Sequence, residues 1–117
     1  MAKKRMFSSQ IVGSDAFQDM SIGARLLYFE LGMVADDDGF VNNAKTIAKS
    51  RGINVKCYQE LLDNHFLILF PSNVIVIKHW FIHNTKRTDR YTHTAYTDEL
   101  LQLKIKDNGS YTLIKSD

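Results

Sequence analysis

Three consecutive carboxylates, Asp36, Asp37 and Asp38, stand before Gly39 in the stretch ADDDG. Clustered carboxylates are the usual ligands of hard divalent cations, which makes this run the first candidate for chemistry. A calcium loop, however, alternates its ligands as D-x-D-x-D-G and places a Glu six residues beyond the glycine. Here the acids are contiguous and position 45 is Lys, so the pattern predicts a turn at a helix end, its aspartates hydrogen-bonded to turn backbone. His79 and His83 lie four apart, with Cys57, His65 and His93 elsewhere. Zinc would need that pair on a helix with Cys57 alongside. The flanking VIVIKHW reads as a strand, which would hold the two imidazoles on one face but about 13 Å apart. HWFIHN bears a faint likeness to a His-Asn nuclease site, but no second ligand segment follows in the required arrangement. No G-x-S-x-G, P-loop or Rossmann glycine pattern is present. The residues therefore predict no metal, no cofactor and no catalytic constellation: the chain is read as a non-enzyme.

A different chemistry, anion contact, is suggested by TIAKSRGINVKCYQELL (46–62). Ala48 is small enough for a second helix to approach closely, and Gly52, four residues later, supplies the positive φ of a sharp inter-helical turn. Ile47, Ile53, Tyr58 and Leu61 then face a core. In such a helix-turn-helix the second helix, here 54–65, enters the major groove with its N-terminal residues foremost. Its exposed candidates are Asn54, Lys56 and Gln59, with Glu60 beside them; Asn and Gln suit adenine, Lys suits guanine or phosphate. Lys45, Lys49 and Arg51 would hold phosphates, which position without specifying sequence. Lys86, Arg87 and Arg90 in NTKRTDRYTH, with Tyr91 interleaved, form a second basic group. Helix-Gly-helix turns also occur in many folds that bind no nucleic acid, and a basic loop is as often simply solvated. Helix 54–65 carries Asp63, and the turn PSN (71–73) is short and uncharged.

The elements that must position these residues follow from pattern. SSQIVGSDAFQDM (8–20) reads as a short helix or irregular arm broken at Gly13. Ser21 caps IGARLLYFELGMVA, the strongest helix, apolar over a broad face. GFV is a short strand. Asn42 or Asn43 caps AKTIAKSR, which Gly52 closes, and Asn54 caps NVKCYQELLDNHF. FLILF and VIVIKHW are two strands about the turn at Pro71 and Asn73. Residues 81–96 show no clear period and read as an extended loop. TDELLQL begins as a short helix with Thr97 as cap, and alternation on both sides of Asn108-Gly109 signals a hairpin. The expectation is an α+β winged helix-turn-helix: a three-helix core with a small antiparallel hairpin in residues 1–80, and a basic loop and C-terminal extension in 81–117. Both faces of FLILF and VIVI are apolar, so both need cover. One packs on the helices; the other requires residues 81–117, the N-terminal arm or a second chain. The chain's own tail is the preferred cover, and a homodimer through the hairpin is the alternative.

Bulk properties set limits. A length of 117 residues suits one small domain, and 44% hydrophobic content supports a real core. No apolar run approaches bilayer length and no signal peptide opens the chain, so no membrane partner is expected. The single cysteine excludes an internal disulfide and suggests the cytoplasm. A net charge of +2 permits polyanion binding without demanding it, and the segregation of cations from the acids at 36–38, 60–63 and 98–99 says more.

Three blocks in order, RMFSSQIVGSDAFQDM, LLYFELGMVADDDGFVNN and VIVIKHWFIHNTKRTDRYTHTAY, resemble the N-terminal domain of replisome organisers, the replication initiators of phages and prophages of Gram-positive bacteria. The resemblance runs from about residue 5 to residue 113. It implies a winged-helix domain that binds double-stranded DNA at the phage origin, related in plan to the N-terminal domain of bacterial DnaD primosome proteins. Family members continue into a C-terminal region, where recruitment of the host helicase loader and helicase would reside. Thr85 and Lys86 depart from the bulkier residues expected after HN. The alternative function is a protein-assembly module with little DNA affinity of its own.

Overall fold

Ser8, Ser14 and Ser21 each open a helix by the same local device. The computed structural model describes residues 4–84 and 91–114. In it the three hydroxyls accept hydrogen bonds from the N–H groups of Gln10, Phe17 and Ala24, at 3.3, 3.2 and 3.1 Å, satisfying donors that a helix start leaves free. They begin α1 (Ser9–Val12), α2 (Asp15–Gln18) and α3 (Ile22–Val34). Ala24, Leu27, Tyr28 and Leu31 form the inward stripe of α3, at the spacing of one helical face.

After the acidic turn, β1 (Phe40–Val41) leads into α4 (Ala44–Ser50), a tight turn and α5 (Val55–Asp63). The turn closes α4 with paired bonds from Gly52 N–H to the Lys49 carbonyl and from Ile53 N–H to the Ala48 carbonyl, at 3.1 and 2.9 Å. Gly52 sits at φ +70°, where a Cβ would be strained. Asn43 occupies the N-cap position of α4 without a side-chain bond, whereas the Asn54 side chain accepts from Lys56 N–H.

β2 (Leu67–Leu69) and β3 (Ile75–Ile77) form the hairpin, and β1 joins the far side of β3 to give the antiparallel order β1-β3-β2. Phe40 and Ile68 both register on Val76, so these three share one face, by the period-two rule. That face is covered from within the chain: the Tyr96 and Tyr111 rings lie 6.0 and 6.4 Å from the Phe40 ring. Tyr111 belongs to a second hairpin, β4 (Leu103–Ile105) and β5 (Tyr111–Leu113), reached through the helical turn α7 (Thr97–Leu100). Tyr111 N–H donates to the Lys78 carbonyl at 2.7 Å, joining this hairpin to the end of β3. The chain is thus α+β, with helices on one side of a small antiparallel sheet and the second hairpin on the other. No helix among the described residues is long and apolar enough to cross a membrane.

The expected strand through VIVIKHW is cut short. It ends at Ile77, and Trp80–His83 form a helical turn, α6. The reason is burial: Trp80 is 1% and His83 4% exposed, and residues three apart enter the core together on a helix but fall on opposite faces of a strand. His79 and His83 are therefore one helical turn apart, with His83 N–H donating to the His79 carbonyl.

Candidate nucleic-acid interface

The candidate residues of α4 and α5 fall into two groups once their side-chain partners are known. Lys45, Lys49 and Lys56 are exposed, and none makes an ion pair among the described residues. Lys45 and Lys49 are four apart on α4 and share a face. Lys45 Nζ lies 5.9 Å from the Tyr58 ring of α5, so its charge sits at the junction of the two helices. Burial pushes the Tyr58 phenol up from its ordinary value.

The other candidates are engaged. Arg51 Nε donates to Glu30 at 2.8 Å, an exposed pair across to α3. Asn54 uses its carbonyl oxygen to cap α5, and Gln59 Nε2 donates to Asp63 at 2.8 Å. Glu60 accepts from the Ser21 N–H and hydroxyl, both at 2.7 Å, and so ties α5 to the start of α3. The outward face of α5 thus presents Lys56, Gln59 and Asp63 with one cation and one acid. At the hairpin turn, the Ser72 hydroxyl donates to Glu99 at 2.6 Å, which brings an acid beside a turn that has no cation. Lys86, Arg87 and Arg90 lie outside the described residues.

The acidic turn is assembled quite differently. Asp36 accepts from the N–H groups of Asp38 and Phe40, each at 3.0 Å, and from the Thr94 hydroxyl. Asp37 pairs with Arg5 at 3.1 Å and accepts from Thr92 N–H at 2.9 Å. Asp38 accepts from the Tyr91 hydroxyl at 2.6 Å and from Thr94 N–H at 2.9 Å. Backbone carbonyls of the same turn take the Trp80 indole N–H and the Tyr111 hydroxyl. Gly39, at φ +90°, lies where a Cβ would come within 2.6 Å of the Trp80 ring. The carboxylates hold the N-terminal arm and residues 91–94 to one point, the Asp38 carbonyl adds the second hairpin, and no cluster of His, Cys, Asp and Glu among the described residues is placed to hold a metal ion.

A buried polar contact escaped the sequence reading. His83 Nδ1 accepts from Ser8 N–H at 2.7 Å, which places the ring proton on Nε2, against the Tyr28 hydroxyl. Burial pulls the His83 imidazole down to about 4, and the neighbouring His79 adds to the effect. Burial pushes the Tyr28 phenol upward. The pair anchors the N-terminal arm, with Tyr28 fully buried. Spacing on α3 and the helical turn after Ile77 would have been needed to find it, and the apolar flanks of His79 concealed the latter.

Comparison with protein-family models, curated proteins and solved structures finds no match to this chain.

Proposed function

We propose that the chain is a duplex-DNA-binding domain of winged helix-turn-helix plan, with α3, α4 and α5 as its three helices and β2–β3 as the wing. The observation that carries this reading is the set of three exposed lysines, Lys45, Lys49 and Lys56, without carboxylate partners among the described residues, around a helix pair joined by a tight glycine turn. Unpaired cations at that place match what a phosphate backbone requires. In this reading the N-terminal half of α5 enters the major groove, Lys45 and Lys49 hold phosphates, and Lys56 reaches a base edge or phosphate. Gln59 reads a base only after releasing Asp63. Arg51 adds a phosphate contact by exchanging Glu30. Together with the three residue blocks resembling replisome organisers, this supports the origin-binding domain of a phage-type replication initiator.

The second reading, a module for protein assembly in the replisome, is favoured by the acid on the outward face of α5 and by Glu99 at the wing. Fluorescence anisotropy on origin-derived and scrambled duplexes at two salt concentrations separates the two. Tight, salt-sensitive binding that prefers the origin supports the DNA reading. No binding to either duplex at low salt refutes it and leaves assembly.

A further inference from the structure

Helix α3 has a second apolar stripe that its own core uses only at Phe29. Ile22, Leu26 and Met33 are 77%, 46% and 49% exposed, and Phe29 lies between them, partly buried against the Phe7 and Phe17 rings. Spaced four, three and four apart, these residues form a seam with the repeat of a coiled coil, in which they take the d, a, d and a positions. Scattered exposed apolar side chains are ordinary; a continuous stripe on one helix is the mark of a contact surface.

Charge identifies the occupant. In this register Arg25 is a g position and Glu30 the following e position, on opposite sides of the seam. In a parallel pair of identical helices a g residue meets the e residue of the partner five positions on, so Arg25 of each copy faces Glu30 of the other. In an antiparallel pair the same geometry sets Arg25 beside Arg25 and Glu30 beside Glu30. Both charges are available. Arg25 donates to the Met20 carbonyl and the Gln18 side chain, with no carboxylate partner among the described residues. Glu30 uses Oε1 for Arg51 and leaves Oε2 for a second cation.

We infer that a second copy of this chain docks on the Ile22–Met33 face of α3, helix parallel to helix, with two symmetry-related Arg25–Glu30 pairs. The inference is independent of DNA binding. So few side chains make an interface at the small end of the range, so the association is weak and concentration-dependent.

Sedimentation velocity without DNA, from about 10 µM to about 1 mM, tests it. The expected result is a mass rising toward two copies, a shift of at least tenfold in dissociation constant for Leu26→Glu, and weakening by Arg25→Glu that Glu30→Arg in the same chain reverses. Thermal melting of each variant confirms that it is folded. Orientation is read with Met33→Cys in a Cys57→Ser background. Parallel docking brings the two introduced thiols together and yields an intermolecular disulfide, whereas an antiparallel pair would hold them about 16 Å apart along the axis. A monomer throughout the concentration range, a dimer indifferent to Leu26→Glu, or a dimer without the disulfide each overturns the inference.

Discussion

The acidic turn at 35–39 and the helix pair at 44–63 lie next to each other in the chain and treat charge in opposite ways. In the turn, carboxylates are buried or half-buried and every one of the three accepts a hydrogen bond from residues 91–94. In the helix pair, three lysines are exposed and make no ion pair among the described residues. The first arrangement makes charge part of the architecture. The second costs little to build, because solvated lysines pay no desolvation, and leaves the cations open to a polyanion. A carboxylate run is therefore not a site merely because it is dense, and a group of lysines is not mere solvation merely because it is exposed.

The contrast can be broken from either side. Asp37→Ala leaves the Arg5 guanidinium, whose side chain is 6% exposed, without its carboxylate. Removal of one partner of a buried pair costs about 3–5 kcal/mol, and denaturant unfolding of the variant is expected to show a loss of that order. A cost below about 1 kcal/mol would show that the turn does not staple the arm.

Next in size is the pH effect of His83. Its pKa is lowered to about 4 in the folded chain, whereas the unfolded chain binds the proton near the usual 6.5. The folded state thus favours neutral imidazole. Its contribution is complete above pH 6.5, declines as the pH falls toward 4, and reaches a loss of about 3 kcal/mol. The slope is expected to be shallower in His83→Gln, with the difference between the two chains confined to that window. Parallel slopes would remove His83 as the cause.

Gly52→Ala forces a Cβ into the left-handed region at φ +70° and is expected to destabilise by about 1 kcal/mol, read as a lowered melting temperature. The smallest effect on stability belongs to the lysines. Lys45→Ala, Lys49→Ala and Lys56→Ala are each expected to change folding by less than about 0.5 kcal/mol. On the DNA reading, each lowers the dependence of log affinity on log salt by about 1, with similar losses on origin and scrambled duplexes for a phosphate contact. Unchanged salt dependence in all three variants would detach the lysines from nucleic acid.

Local chemistry is what made parts of this molecule legible in advance. Serine before an apolar helix at Ser21, Asn54 before α5, Gly52 after α4 and Asn108-Gly109 between alternating strands each act through bonds within a few residues. The lysines at 45, 49 and 56 were legible as exposed cations for the same reason. Where tertiary packing overrides local pattern, legibility stops. VIVIKHW alternates like a strand throughout, yet the burial of both Trp80 and His83 turns its end into a helix.

The sequence by itself determined the starts of α3 and α5 at Ser21 and Asn54, the close of α4 at Gly52, the two hairpins and the turn at Asp36–Gly39, because those depend on interactions close along the chain. Only the tertiary structure decided that Asp37 holds Arg5, that Asp38 holds Tyr91, that Glu60 is drawn to Ser21 and that His83 receives Ser8 N–H. It likewise decided which apolar stripe of α3 is buried and which stays open. These pairings join residues from 32 to 75 positions apart, and no spacing rule reaches across such distances. They exist because a shared core brings the segments together.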